Sequence, residues 1–160
     1  MTEHDDQIEK LGGILKDFRF AMLTSIADDG KLVGHPLTVQ EREFDGSLWF
    51  IIDRDASASA HVSKRPDVGV TFSGDSSWVS LAGTATIVED YAKLQELWGP
   101  GLDAWFPDGP TDSDAVLLEF VPEGAEYWSS PGGKSATLFS FVKAKVTGET
   151  LEGDNAKIEL

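Results

Sequence analysis

The stretch from Leu48 to Val68, LWFIIDRDASASAHVSKRPDV, constrains the fold of this chain more than any other. Leu48-Trp49-Phe50-Ile51-Ile52 is an unbroken apolar run too short for a helix of its own, so it reads as a strand that must be covered on both faces. Asp53-Arg54 leaves the sheet, and Asp55 stands where a helix N-cap is expected. Pro66 ends that helix just after Lys64 and Arg65, cations that suit the negative end of its dipole. Its first turns hold only Ala56, Ser57, Ala58, Ser59 and Ala60. Side chains this small admit close approach to the backbone, either by a packed neighbour or, through free N–H groups and hydroxyls, by a phosphate.

The flanking segments supply hairpins. Residues 3–17 form an amphipathic pattern with Ile8, Leu11, Leu15 and Phe18 on one side, weakened by Gly12-Gly13. A first strand is expected from Phe20 to Ala27, closed by Asp28-Asp29-Gly30, and a long second one from Leu32 to Phe44. Pro36 inside the second lacks a ladder donor and calls for an edge, bulge or bend. Val68, Val70 and Phe72 alternate with small residues in a half-buried strand, and Trp78 to Val88 makes another, with Gly83 as its bend point. Asp90 caps a helix from Tyr91 to Trp98, and the irregular Gly99 to Pro110 carries Trp105 and Phe106. Ala115 to Val121 reads as a strand apolar on both faces, with Glu126-Tyr127-Trp128 as its short partner. A last helix is expected from Ser135 to Val146, with Gly148 as its stop. Residues 149–160 then form a polar tail ending in a short strand at Lys157 to Leu160.

Six or seven strands joined mostly by hairpins, with two or three helices, predict a mainly β, α+β domain over residues 1–148, a closed antiparallel barrel with helices outside. The strands that are apolar on both faces need a second cover, which a twofold dimer would supply.

Composition narrows the function. A chain of 160 residues with 41% hydrophobic and 26% charged side chains can bury a core, and no apolar run is long enough to span a bilayer. The acidic start MTEHDDQIEK is unlike a signal peptide, and the absence of cysteine rules out disulfides and thiolate chemistry, so a cytoplasmic location is expected. With 28 acidic against 13 basic side chains the formal charge is −15, which repels nucleic acid and anionic membrane. His4, His35 and His61 lack metal-ligand spacing, so no metal site is expected, and His61 on its short helix is read as solvent-facing. Neither a GxSxG elbow, a P-loop nor a GxGxxG turn is present.

From Phe20 to about Gly148 the order of motifs resembles the flavin-binding split barrels related to pyridoxamine phosphate oxidase, above all their general stress protein branch. The resemblance is most specific from Trp78 to Trp128, with its Asp-capped helix, Leu97-Trp98, Trp105-Phe106-Pro107-Asp108-Gly109 and Glu126-Tyr127-Trp128. Asp45 to Phe50 and Ser140 to Ala144 match as well. The resemblance implies a six-stranded antiparallel split barrel, a homodimer, and flavin mononucleotide (FMN) in clefts at the interface. The flavin ring would lie on Leu37, Thr38, Ile51 and Ile52, with Trp98 and Trp105 beside the partner's cleft. The phosphate would sit near His35 and the helix start, with Ser57, Ser59 and Arg54 as remaining contacts, and Pro36, Asp53 and Ala58 complete the implied cofactor site. Relatives use an Arg-Pro-Met step and a helix Lys for the phosphate; this chain has His35-Pro36-Leu37 and Ala58 there. A charge-assisted contact contributes about 1.5–3 kcal/mol, so two losses weaken an FMN phosphate seat by a few powers of ten. The implied function is a flavin-dependent oxidoreductase or a flavin carrier. The alternatives are a dimeric ligand-binding or interaction protein without flavin, and a barrel for another cofactor such as a deazaflavin or haem. No catalytic acid, base or nucleophile stands out, as expected where a flavin carries the chemistry.

Overall fold

A computed structural model of the chain describes residues 2–40, 44, 46–111, 114–129 and 154–160. Seven strands form one antiparallel sheet: β1 (Phe20–Ile26), β2 (Leu32–Thr38), β3 (Leu48–Asp53), β4 (Asp67–Ser73), β5 (Ser77–Val88), β6 (Ala115–Ser129) and β7 (Asp154–Glu159). Three helices accompany it: α1 (Glu3–Leu15), α2 (Ser57–Lys64) and α3 (Tyr91–Leu97). The strand order is β2-β1-β4-β5-β6-β3, with β7 added to β6. The ends of that order, β2 and β3, lie near each other, yet no ladder joins them among the described residues. Where a closed barrel of six or seven strands was expected from the pattern, and a six-stranded split barrel from the resemblance, the described residues form a seven-stranded sheet left open at one seam. Pro36 sits on the edge strand β2, where a missing N–H costs least. β2 also stops at Thr38, short of the expected Phe44.

β6 organises the sheet. It pairs with β5 along its length, with β3 over Ala115 to Phe120 and with β7 over Gly124 to Ser129. The switch of partner coincides with a bulge: Ala82 faces Gly124 and Gly83 faces Pro122, leaving Glu123 as the extra residue. The carbonyl of Glu123 accepts from the N–H of Leu160 at 2.9 Å. Glu126-Tyr127-Trp128 is therefore the continuation of β6 rather than its partner, because the bulge absorbs the Pro122-Glu123-Gly124 break. The end of the chain is the seventh strand, with Ile158 only 3% exposed in the main core.

β3 is covered on both faces by its own chain. Phe50 and Ile52 join the main core with Leu23, Val70 and Phe120. Ile51 turns the other way, into a second cluster with Leu94, Leu102, Phe106, Ala115 and Leu117. α3 and the segment after it supply cover for this second face. Asp90 caps α3 as expected, its carboxylate accepting the Lys93 N–H at 3.1 Å. The following segment contains two 3-10 turns, Pro100–Ala104 and Gly109–Thr111. The helix expected from Ser135 to Val146 lies outside the described residues.

The corner from β3 to α2 is built differently from expectation. The N-cap is Ala56, with no side-chain cap, rather than Asp55. Asp53 arranges the turn: its Oδ1 accepts the Asp55 N–H at 2.7 Å, and its carbonyl accepts the Ala56 N–H at 3.1 Å and the buried Ser59 hydroxyl at 2.7 Å. One upstream residue serves the turn, and the first N–H groups of α2 keep no side-chain acceptor.

Candidate functional site

The seam between β2 and β3 opens into a cavity of about 320 Å3, within the range of small-molecule pockets. β2 contributes His35, Pro36, Leu37 and Thr38, and β3 contributes Ile51, Ile52 and Asp53. Ala56 and Ala58 close one end from the start of α2. Leu102, Trp105 and Phe106 roof it, and Phe20 stands at its side. Nine of the twelve residues singled out in the sequence meet here: His35, Pro36, Leu37, Thr38, Ile51, Ile52, Asp53, Ala58 and Trp105.

The other three stand elsewhere. Arg54 forms an ion pair with Glu89 and lines a separate hollow of about 250 Å3 beside α3. Ser57 is exposed at the helix start and does not line the cavity. Trp98 packs edge-on against Phe106 at 5.8 Å, and its Nε1–H donates to Asp103 at 3.0 Å. From the segment 98–106, expected beside a partner's cleft, Leu102, Trp105 and Phe106 line the cavity of their own chain. Phe106 is buried, whereas Trp105 is 76% exposed and Phe20 is 65% exposed, so the mouth is an apolar rim.

The polar end is made by histidine. On β2, His35 lies opposite Leu23 of β1, so it shares the inward face with Leu23, Ser25 and Leu37. Its ring centroid is 6.1 Å from that of His61 on α2. Nε2 of His35 is buried and has no hydrogen-bond partner among the described residues. Burial, and then the nearby His61, push its pKa below the ordinary value of 6.5. His61 is not the solvent-facing residue expected: it is half-buried, with Nδ1 2.9 Å from the Oγ of the fully buried Ser25. A signal for both was present. Ser25 falls in phase with the buried Ala21 and Leu23, and a polar group at a core position needs a partner. His61 stands three residues from Ala58, on the face of α2 that packs inward. Among the described residues no cluster of His, Asp and Glu could hold a metal ion, and no helix is long and apolar enough to cross a membrane.

The cavity thus joins an apolar slot, suited to a flat ring, to a small polar end with the His35 imidazole and an uncapped helix start. Among the described residues no lysine or arginine lines it, and Asp53 adds a carboxylate.

Comparison with known proteins gives this arrangement a context. The sequence profile of the family described as pyridoxamine 5'-phosphate oxidase like matches residues 6–152. A solved structure from Jannaschia sp. CCS1, described as a general stress protein 26, is 29% identical, covers 98% of this chain and 99% of its own, and superposes with a TM-score of 0.77. The general stress FMN/FAD binding protein from Xanthomonas citri is 28% identical, with 78% of this chain and 89% of that one covered and a TM-score of 0.66. Protein bli-3 of Neurospora crassa is 26% identical over 91% of this chain and 75% of its own length.

Proposed function

The chain belongs to the pyridoxamine 5'-phosphate oxidase-like family, and on that premise we propose that the cavity between β2, β3 and α2 is a flavin site. The protein is then an FMN-binding oxidoreductase or flavin carrier of the general stress protein kind. The observation that carries this reading is the cavity itself: an apolar slot at the open seam of the sheet, with a polar end at a helix start. The description of the Xanthomonas citri relative as FMN/FAD binding supports it.

The residues present fit the ring well and the phosphate less well. Leu37, Ile51, Ile52 and Phe106 would hold the ring between apolar surfaces and keep water from it. Trp105 would stack at the mouth, where its ring is now exposed. The phosphate end has the unpartnered Nε2 of His35 and the uncapped start of α2, but no fixed cation among the described residues. A bound flavin supplies hydride or single-electron transfer; the chain positions it and shields it. A second copy of the chain is the proposed partner, because Phe20 and Trp105 leave an apolar rim that one chain does not cover. The cysteine-free, acidic chain suits the cytoplasm.

Purified protein titrated with FMN should quench flavin fluorescence to saturation. Trp105→Ala should weaken binding by about two- to tenfold, the worth of one aromatic contact. Protein that leaves flavin fluorescence unchanged at millimolar concentration would end the flavin reading.

A further inference from the structure

His35 on β2 lines the cavity; its ring centroid is 6.1 Å from that of His61 on α2, whose Nδ1 is 2.9 Å from the Ser25 hydroxyl on β1. We propose that His35, held against the Ser25–His61 pair, selects the charge of the ligand's tail. A flavin with an uncharged tail binds without a change of proton, whereas a phosphate monoester dianion enters only together with a proton on His35. This inference rests on the flavin reading above.

The charges around the site account for it. From β3, Asp53 brings a carboxylate to the cavity wall. On α2, His61 is the near titratable neighbour, 6.1 Å away between ring centroids. Lys64 is occupied with Asp28 at 3.1 Å, and the Arg65 guanidinium donates to the Ala27 carbonyl at 3.3 Å. Among the described residues no cation lines the cavity to meet a dianion. Burial, and after it His61, disfavour the charged form of His35 in the free site. A dianion against the buried Nε2 reverses that balance, since the attraction favours the imidazolium and supplies the missing hydrogen-bond partner. The Ser25 hydroxyl can donate to a bare Nδ1 or accept from a protonated one. His61 therefore keeps its place beside His35 whichever form it takes.

The test compares FMN with riboflavin, which carries the same ring without the phosphate. Affinities are measured by fluorescence quenching between pH 8 and 6.5, where the FMN tail stays mostly dianionic. Uptake of one proton strengthens FMN binding by up to about tenfold per pH unit as pH falls, and riboflavin binding stays level. His35→Gln removes the slope, and His35→Arg replaces it with tight binding at every pH. Parallel FMN and riboflavin curves in the wild type, or a slope that survives in His35→Gln, would overturn the inference while leaving the flavin site standing. If neither ligand binds at any pH, the flavin reading itself fails. The seat is then judged by histidine ring NMR with inorganic phosphate as the probe: a His35 resonance whose titration moves to higher pH supports it, and one that does not move refutes it.

Discussion

Gly83→Ala should be one of the most damaging single-methyl changes in this chain. Gly83 faces Pro122 at the bulge where β6 exchanges β3 for β7 as its second partner. A Cβ built there would meet the Val121 carbonyl oxygen at 2.1 Å and the Pro122 Cα at 2.8 Å. Both are main-chain atoms of the long central strand, so no side chain can swing aside. Ordinary contact begins near 3.4 Å, so β6 would have to retreat by more than an ångström, and its first half carries β3 and the cavity wall. Overpacking costs about 1–3 kcal/mol, and a backbone obstacle puts this case at the upper end. For a chain of this size about 3 kcal/mol lowers the melting temperature by roughly 6–12 °C. Gly124→Ala is the matched control across the same bulge, where the nearest atom is the Ile158 carbonyl at 3.8 Å. It should change stability by less than about 1 kcal/mol and with either sign. Thermal and urea unfolding of the two variants reads the difference. Equal stabilities would refute the register assigned to β5 and β6.

Asp90→Ala removes the carboxylate that accepts the Lys93 N–H, which should cost about 1 kcal/mol, or roughly 2–4 °C in melting temperature. His35 has a lower pKa folded than unfolded, so the unfolded chain binds more protons and stability falls as pH drops below the unfolded value of about 6.5. His35→Gln should flatten that part of the stability–pH curve, as urea unfolding at pH 7.5 and 5.5 would reveal. His35→Arg combined with Ala58→Lys puts two fixed cations at the cavity's polar end and should tighten FMN at pH 8 by at least tenfold, needing only about 1.4 kcal/mol. An unchanged affinity in the folded double variant would place the phosphate elsewhere.

Much of this arrangement was legible because local chemistry decides it. The apolar run from Leu48 to Ile52 announced a strand buried on both faces, and Asp90 announced its helix. Pro36 marked an edge. The failures come where distant groups decide the outcome. Pro122-Glu123-Gly124 has the composition of a break, yet pairing with both β5 and β7 carries the strand through it as a bulge. Asp55 resembles a cap, but Asp53 already serves the donors of that turn. His61 looks like a surface residue until β1 brings Ser25 to it across 36 positions of sequence. Of the residues the resemblance pointed to, those on β2 and β3 come together because the two strands end the sheet order on either side of one seam. Arg54 stands apart from the cavity because it pairs with Glu89, which follows β5.

The most direct test of the account is a crystal structure of the protein grown with saturating FMN. The account predicts flavin density in the seam between β2 and β3, the ring against Leu37, Ile51 and Ile52 and the phosphate beside His35 and the start of α2. Density for the flavin at any other place, or a bare seam in protein that solution titration shows to be loaded, would contradict it.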